Sequence, residues 1–219
     1  MEIEQIRPRL WRWTATHPDW SPEEGGPDGW QPEVSSHALV EEDALVLIDP
    51  LVPADDEERF WNALDGDVEH HGPPQVLLTG YWHARSSQTI LDRYPGARVS
   101  VPEAAAEKAR ERVAFTDTFT SKDALPGGVE AKETEYTTEV LLWIPSQRAL
   151  VAGDVLLGTP AGGVRVCPDS WLAPGVSPVA LREQLRALLL ALPIELVLLA
   201  HGVPVRDDAH AALEAALTA

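Results

Sequence analysis

Four places in this chain carry side chains that could do chemistry, and all four share one setting. Asp49, the turn Gly80-Tyr81-Trp82-His83-Ala84-Arg85, Asp154 and His201 each follow the C-terminal end of an apolar run that reads as a strand. In layered α/β proteins such strand ends form a common rim, so groups distant in sequence can meet in one cleft. The imidazole of His83 or His201 is a group that can take a proton from water as a general base, and a carboxylate such as Asp154 can orient the ring. Plainer roles fit the same residues. Asp49 and Asp154 can accept backbone hydrogen bonds in tight turns, His83 can stack on Tyr81 or Trp82, and His201 sits between a buried strand and Gly202. His17, His37, His70, His71 and His210 have no motif around them and are expected at the surface or in structural roles.

The elements that must position these groups read as alternating short apolar runs and helical patterns, which implies a layered α/β architecture. Residues 7–32 hold four of the eight tryptophans, Trp11, Trp13, Trp20 and Trp30, amid proline, glycine and charge. They predict an early strand, with Trp11 and Trp13 on one face, followed by an irregular loop. Strands are expected over 37–40 and 44–48, with Asp49-Pro50 ending the second. A helix over 54–64 and a buried strand over 76–79 follow. Ser86 or Ser87 can cap a helix running to residue 94, 98–101 reads as a strand, and Pro102 opens a helix through 112. Extended segments at 129–134, 139–144 and 149–152 lead to Gly153-Asp154. Ser177-Pro178 supplies a cap and first-turn proline for a helix to 192. Residues 195–200 read as a strand and 208–217 as a terminal helix. The 219 residues, 44% of them hydrophobic, suffice for one core, so the reading is a single domain over 1–219.

A net charge of −18 argues against nucleic acid and anionic membrane surfaces, both of which need a local excess of Lys and Arg. No apolar run reaches the roughly 20 residues that span a bilayer, and the first residues are acidic where a secretory signal would be basic. The expectation is a cytoplasmic protein. A single cysteine, Cys167, excludes an intramolecular disulfide and a cysteine-based zinc knuckle, and it reads as a small buried side chain.

In the order and spacing of Ile48-Asp49, the strand entering Thr79, Gly153-Asp154-Val155-Leu156 and Leu198-Leu199-Ala200-His201-Gly202, the chain resembles the metallo-β-lactamase fold superfamily over most of its length. The resemblance implies an αββα four-layer sandwich, two mixed sheets face to face with helices outside, and a site at one edge. It also implies one or two metal ions, usually zinc and sometimes iron or manganese, that activate water. The family's first metal motif is Thr-His-x-His-x-Asp-His directly after a strand. Here Thr79 matches, His83 can take the second histidine's place if one residue is inserted, and Arg85 and Ser86 stand where the Asp-His pair belongs. By the same alignment Glu135, opening Glu135-Tyr136-Thr137-Thr138-Glu139-Val140, replaces a further histidine, although Glu133 and Glu139 nearby could equally face the cleft. Asp154 and His201 match the bridging aspartate and the last histidine.

The resemblance therefore implies a degenerate site. His83, Glu135, Asp154 and His201 could hold one zinc, iron or manganese ion, but a two-metal centre is not expected, and the leading expectation is no cofactor. Arg85 is predicted to reach into the second-metal position and pair with Asp154, because a guanidinium can bind a carboxylate through two hydrogen bonds. Asp49 is expected to support the site from behind, and Tyr81 and Trp82 to line it or fill the volume of the missing ligands. Two classes of function follow. One is a non-catalytic or ligand-binding relative whose partner is a small molecule. The other is a hydrolase using a single weakly bound metal, or metal-free catalysis with His83 or His201 as general base and Asp154 as orienter, on a small molecule. A homodimer could form through an apolar edge strand or the Trp-rich N-terminal segment.

Overall fold

A computed structural model describes residues 2–26, 28–136 and 138–218; Met1, Pro27, Thr137 and Ala219 lie outside the described residues. In chain order the strands and helices are β1 (Glu2–Arg7), β2 (Leu10–Thr16), β3 (Glu33–Val40), β4 (Leu45–Ile48), α1 (Glu57–His71), β5 (Gln75–Leu77), α2 (Ser87–Arg93), β6 (Arg98–Pro102), α3 (Ala106–Ala109) and β7 (Asp117–Phe119). They continue with β8 (Glu130–Glu133), β9 (Val140–Ile144), β10 (Ala149–Val151), β11 (Leu156–Gly158), β12 (Val164–Val166), α4 (Pro178–Leu189), β13 (Leu196–Leu198) and α5 (Ala209–Thr218). Strands β1 to β7 form one sheet in sequence order, antiparallel up to β4 and parallel from β4 to β7. The second sheet runs β13-β10-β9-β8, with β13 parallel to β10, and β11 and β12 form a separate hairpin.

Alternation along the strands builds the layers, because successive side chains point to opposite faces. Val46 and Ile48 of β4 join Val140, Leu142, Ile144, Leu196 and Leu198 in a core between the two sheets. Leu45 and Leu47 face the other way, against Phe60, Trp61 and Leu64 of α1 and Ile90 of α2. On the far side, Leu141 and Trp143 of β9 and Val197 of β13 pack on Leu181, Leu185 and Leu189 of α4 and Leu213 of α5. The result is an αββα sandwich, as expected. Among the described residues no helix is long and apolar enough to cross a membrane.

Some elements differ from their predicted form. The charged strand β1 pairs with β2 at the sheet edge, where its half-buried pattern hides it from a hydrophobicity reading. Helix α1 continues to His71 through Gly66, its packing outweighing the roughly 1 kcal/mol that a helical glycine costs. The helix expected after Pro102 shrinks to a 3₁₀ turn and the four-residue α3. Its pattern then runs on as three-residue turns, with Arg112 N–H donating to the Ala109 carbonyl (2.9 Å). Ser177 caps α4 by accepting from the Ala180 N–H, while Ser86 uses its hydroxyl to accept from Val52 N–H instead.

Candidate functional site

Strand β4 ends at Ile48, and Asp49 turns the chain with a φ of 50°. Its carboxylate is buried and accepts three hydrogen bonds from the next strand end: Thr79 N–H (2.8 Å), Thr79 Oγ1–H (2.6 Å) and His83 Nδ1–H (2.8 Å). A 3₁₀ turn over Tyr81–Ala84 brings His83 back over Thr79. The other ring nitrogen, His83 Nε2, lies 3.2 Å from Asp154 Oδ1, and His201 Nε2 lies 3.1 Å from the same oxygen. A continuous line runs from Asp49 through His83 and Asp154 to His201.

Electrostatics follow from this alternation of carboxylate and imidazole. Burial pushes the His83 pKa down, but Asp49 and Asp154 outweigh it and raise it to about 10, so the ring is an imidazolium at neutral pH. Burial pushes the Asp154 carboxyl up, but His83 and His201 together hold it well below the usual carboxylate range. Asp49 is lowered in the same way, burial being outweighed chiefly by His83.

Two expected residues stand elsewhere. Glu135 is exposed, and its N–H donates to the Gln184 side chain on α4. The carboxylate that enters the sandwich is Glu139, because its backbone bridges to Gly80 and so carries its side chain inward. Glu139 Oε1 accepts from the Asp154 N–H and from the Val155 N–H (2.9 Å), fixing the turn that presents Asp154. Burial, then the neighbouring Asp154, raises the Glu139 pKa well above its ordinary value. The turn requires Gly153: φ is 52°, and a Cβ there would lie 2.3 Å from Glu139 Oε1.

Arg85 does not pair with Asp154. The backbone at Arg85 has φ of 36°, and its Nη1 donates to the carbonyls of Ser35 and Asp49, both at 2.9 Å. The guanidinium thus ties the ends of β3 and β4 together while facing the same cavity as the imidazoles. Tyr81 is buried in the helix-side core with its ring stacked 4.1 Å from Trp82. Trp82, 46% exposed, lines the cavity without filling it.

That cavity, about 710 Å³, opens above His83, Asp154 and His201. Its walls come from the loop between β2 and β3, including His17 and Trp30, and from Trp82, Arg112, Tyr136 and Trp171. The sequence flagged the Trp-rich loop but tied it to no site. The signal was a Gly- and Pro-rich excursion between paired strands, whose landing place depends on strand order. Trp30 packs edge-on against both His17 (5.2 Å) and His201 (5.1 Å). Of the other histidines, His37 is buried and neutral, burial lowering its pKa to about 3, while His70 and His210 are exposed and His71 is half-buried. Cys167 is buried, with its thiol pushed up to about 12 chiefly by burial.

Among the described residues the one group of three or more metal-type donors is His83, Asp154 and His201, whose ligand atoms lie within 4.8 Å of one another. Two imidazoles and a carboxylate suit one zinc, iron or manganese ion. Asp49 behind His83 Nδ1 matches the arrangement by which a carboxylate orients a metal-binding histidine.

No protein-family model matches the sequence, and no curated protein matches it. Solved structures do match over nearly the whole chain. A metallo-β-lactamase from Pontibacter korlensis is 16% identical, with TM-score 0.71 and coverage of 99% of this chain and 98% of that one. The metallo-β-lactamase FIM-1 from Pseudomonas aeruginosa, in a mono-zinc form, is 8% identical with TM-score 0.72, covering 99% and 94%. A metallo-β-lactamase from Hirschia baltica is 12% identical with TM-score 0.67, covering 99% and 96%. With the same αββα layering and matches along its full length, the chain has the metallo-β-lactamase fold.

Proposed function

We propose that the protein binds a small molecule in the cavity above His83, Asp154 and His201, and that it does so without a two-metal hydrolytic centre. The donor count carries this reading. Three ligand-type groups converge, Glu135 is turned outward, and Arg85 occupies the cavity wall with a fixed positive charge. A two-metal centre requires more ligands than these.

The closeness of the three donors, with Asp49 behind His83, favours one second reading: a hydrolase with a single metal ion or none. An ion held by His83, Asp154 and His201 would supply Lewis acidity and a more acidic bound water. The protein's own contribution is positional. Asp49 holds His83, and Glu139 holds the turn that presents Asp154. Without an ion, Asp154 lies between His83 and His201, and His201 is the group placed to accept a proton from water.

Metal analysis after dialysis against zinc, iron and manganese separates the readings, together with melting temperatures with and without each ion. Less than about a tenth of an equivalent, with an unmoved melting temperature, supports the metal-free binder, because a tightly bound ion must stabilise the folded state. One equivalent accompanied by hydrolysis of an ester, thioester, lactam or phosphodiester supports the second. Retention of two equivalents overturns both.

A further inference from the structure

The cavity is asymmetric in charge. One wall is the loop between β2 and β3, which presents Asp19, Glu23, Glu24 and Asp28. Among the described residues, none of Asp19, Glu23 and Asp28 has an ion-pair partner. The loop is a built wall. Trp20 Nε1–H donates to the Trp30 carbonyl (3.0 Å), Trp30 Nε1–H to Glu24 Oε2 (3.3 Å), and Arg165 to the Gly29 carbonyl (3.3 Å).

The cationic side chains on the cavity are already engaged. Arg85 donates to two carbonyls and its charge is faced by the Asp49 and Asp154 carboxylates, and Arg112 lies 5.3 Å over the Trp82 ring. The floor is internally balanced too, Asp154 lying between two imidazoles. What stays unmatched is the carboxylate wall, and beside it stand aromatic rings from Trp30, Trp82, Trp171 and Tyr136. Aromatic faces attract cations through the ring quadrupole, best for tryptophan and for weakly hydrated heads such as quaternary ammonium. The −18 charge of the whole chain adds a field that draws cations inward.

We propose that the cavity selects an organic cation: an ammonium or quaternary-ammonium head on an apolar body, the head beside Trp30 and the acidic loop and the body against Trp82 and Trp171. This rests on the small-molecule reading above and gives it a ligand class. Three probes of similar size and different charge test it by titration calorimetry: benzyltrimethylammonium, benzyl alcohol and benzoate. The cation is expected to bind at least about tenfold more tightly than the alcohol, and benzoate more weakly than either. The preference should shrink as salt rises from about 20 to about 200 mM. In the D19N/E23Q/D28N variant, substituted at exposed loop positions, it should fall about tenfold while benzyl alcohol binding is unchanged.

Benzoate or benzyl alcohol binding as tightly as the cation overturns the charge selectivity and leaves the cavity reading standing, as does a preference indifferent to both salt and the triple substitution. If no probe binds up to about 10 mM, the small-molecule reading of the cavity falls and this proposal with it.

Discussion

With 2% of its surface exposed, Asp49 spends its carboxylate on Thr79 and His83, while His83 spends its second nitrogen on Asp154. Such a buried alternation makes stability depend on pH in a definite direction. The folded pKa of His83, about 10, lies above its ordinary 6.5, so its contribution is fully present below 6.5 and is lost as pH rises through 10. Asp49 and Asp154 are depressed below 3.8, so theirs is present above that value and lost as pH falls through their folded pKa. His37, buried and neutral with its pKa lowered to about 3, acts in the opposite sense and costs stability as pH falls below 6.5, so the unfolding free energy is expected to peak near pH 6.5 and to decline toward pH 10. Urea denaturation at about pH 6 and about pH 9 checks this, with H83Q as the control that should flatten the decline. A wild-type profile as flat as that of H83Q would show that the imidazolium is not held as described. The types and strand-end placement of Asp49, His83, Asp154 and His201 could be read from sequence. Glu139 could not be chosen over Glu135, because the two carboxylates stand four positions apart in one polar stretch and local pattern does not say which turns inward.

The two sheets are joined at the site edge by bonds between element ends. Val140 N–H donates to the Thr79 carbonyl (2.8 Å), Ser35 N–H to the Ala200 carbonyl (2.8 Å), and Glu139 bridges to Gly80. Glu139 adds the clamp on Asp154 and Val155, so E139A should cost about 2 kcal/mol by leaving two N–H groups without acceptors. E139Q keeps an acceptor oxygen and should cost less than about 1 kcal/mol. Equal losses in chemical denaturation would contradict the clamp. A second joint lies where β13 ends: Gly202 has φ of 121°, a Cβ there would lie 2.8 Å from Gly158 Cα, and Gly158 N–H donates to the His201 carbonyl (2.8 Å). G202A is expected to cost about 2 kcal/mol and to change the tryptophan emission from Trp30 and Trp171, whose rings touch His201. An unaltered denaturation midpoint would mean the backbones can separate without penalty. Strands β4, β9, β10 and β13 were legible because each is apolar on both faces, whereas β1 is charged and half-buried and lies outside such runs.

Across the whole molecule 35 acidic residues face 17 basic ones, an excess that makes the folded state repel itself. Salt screens that repulsion over a Debye length of roughly 10 Å at 0.1 M. The melting temperature is expected to rise by a few degrees between about 20 and 200 mM sodium chloride, since local ion pairs at the surface contribute little to offset the net charge. A falling melting temperature would mean that the ion pairs, such as Arg98–Asp117 and Arg93–Asp65, outweigh it. The same charge, concentrated on the loop carboxylates, gives the cavity its proposed taste for cations.

Sequence by itself determined a layered α/β architecture, and the resemblance carried by its strand-end residues implied the αββα order. Strands with apolar residues on both faces must be covered on both faces, and the order of strands, helices and strand-end polar groups then leaves few arrangements. It also determined which donor types could reach the edge, and set the expectation that they would be too few for two metal ions. Tertiary structure alone decided which groups meet. A φ of 36° turned Arg85 onto two carbonyls instead of Asp154, a backbone bridge brought Glu139 inward and left Glu135 in solvent, and the loop from β2 to β3 folded its tryptophan and carboxylates over the imidazoles. Each of these depends on contacts between residues far apart in the chain, and local pattern carries no term for such contacts.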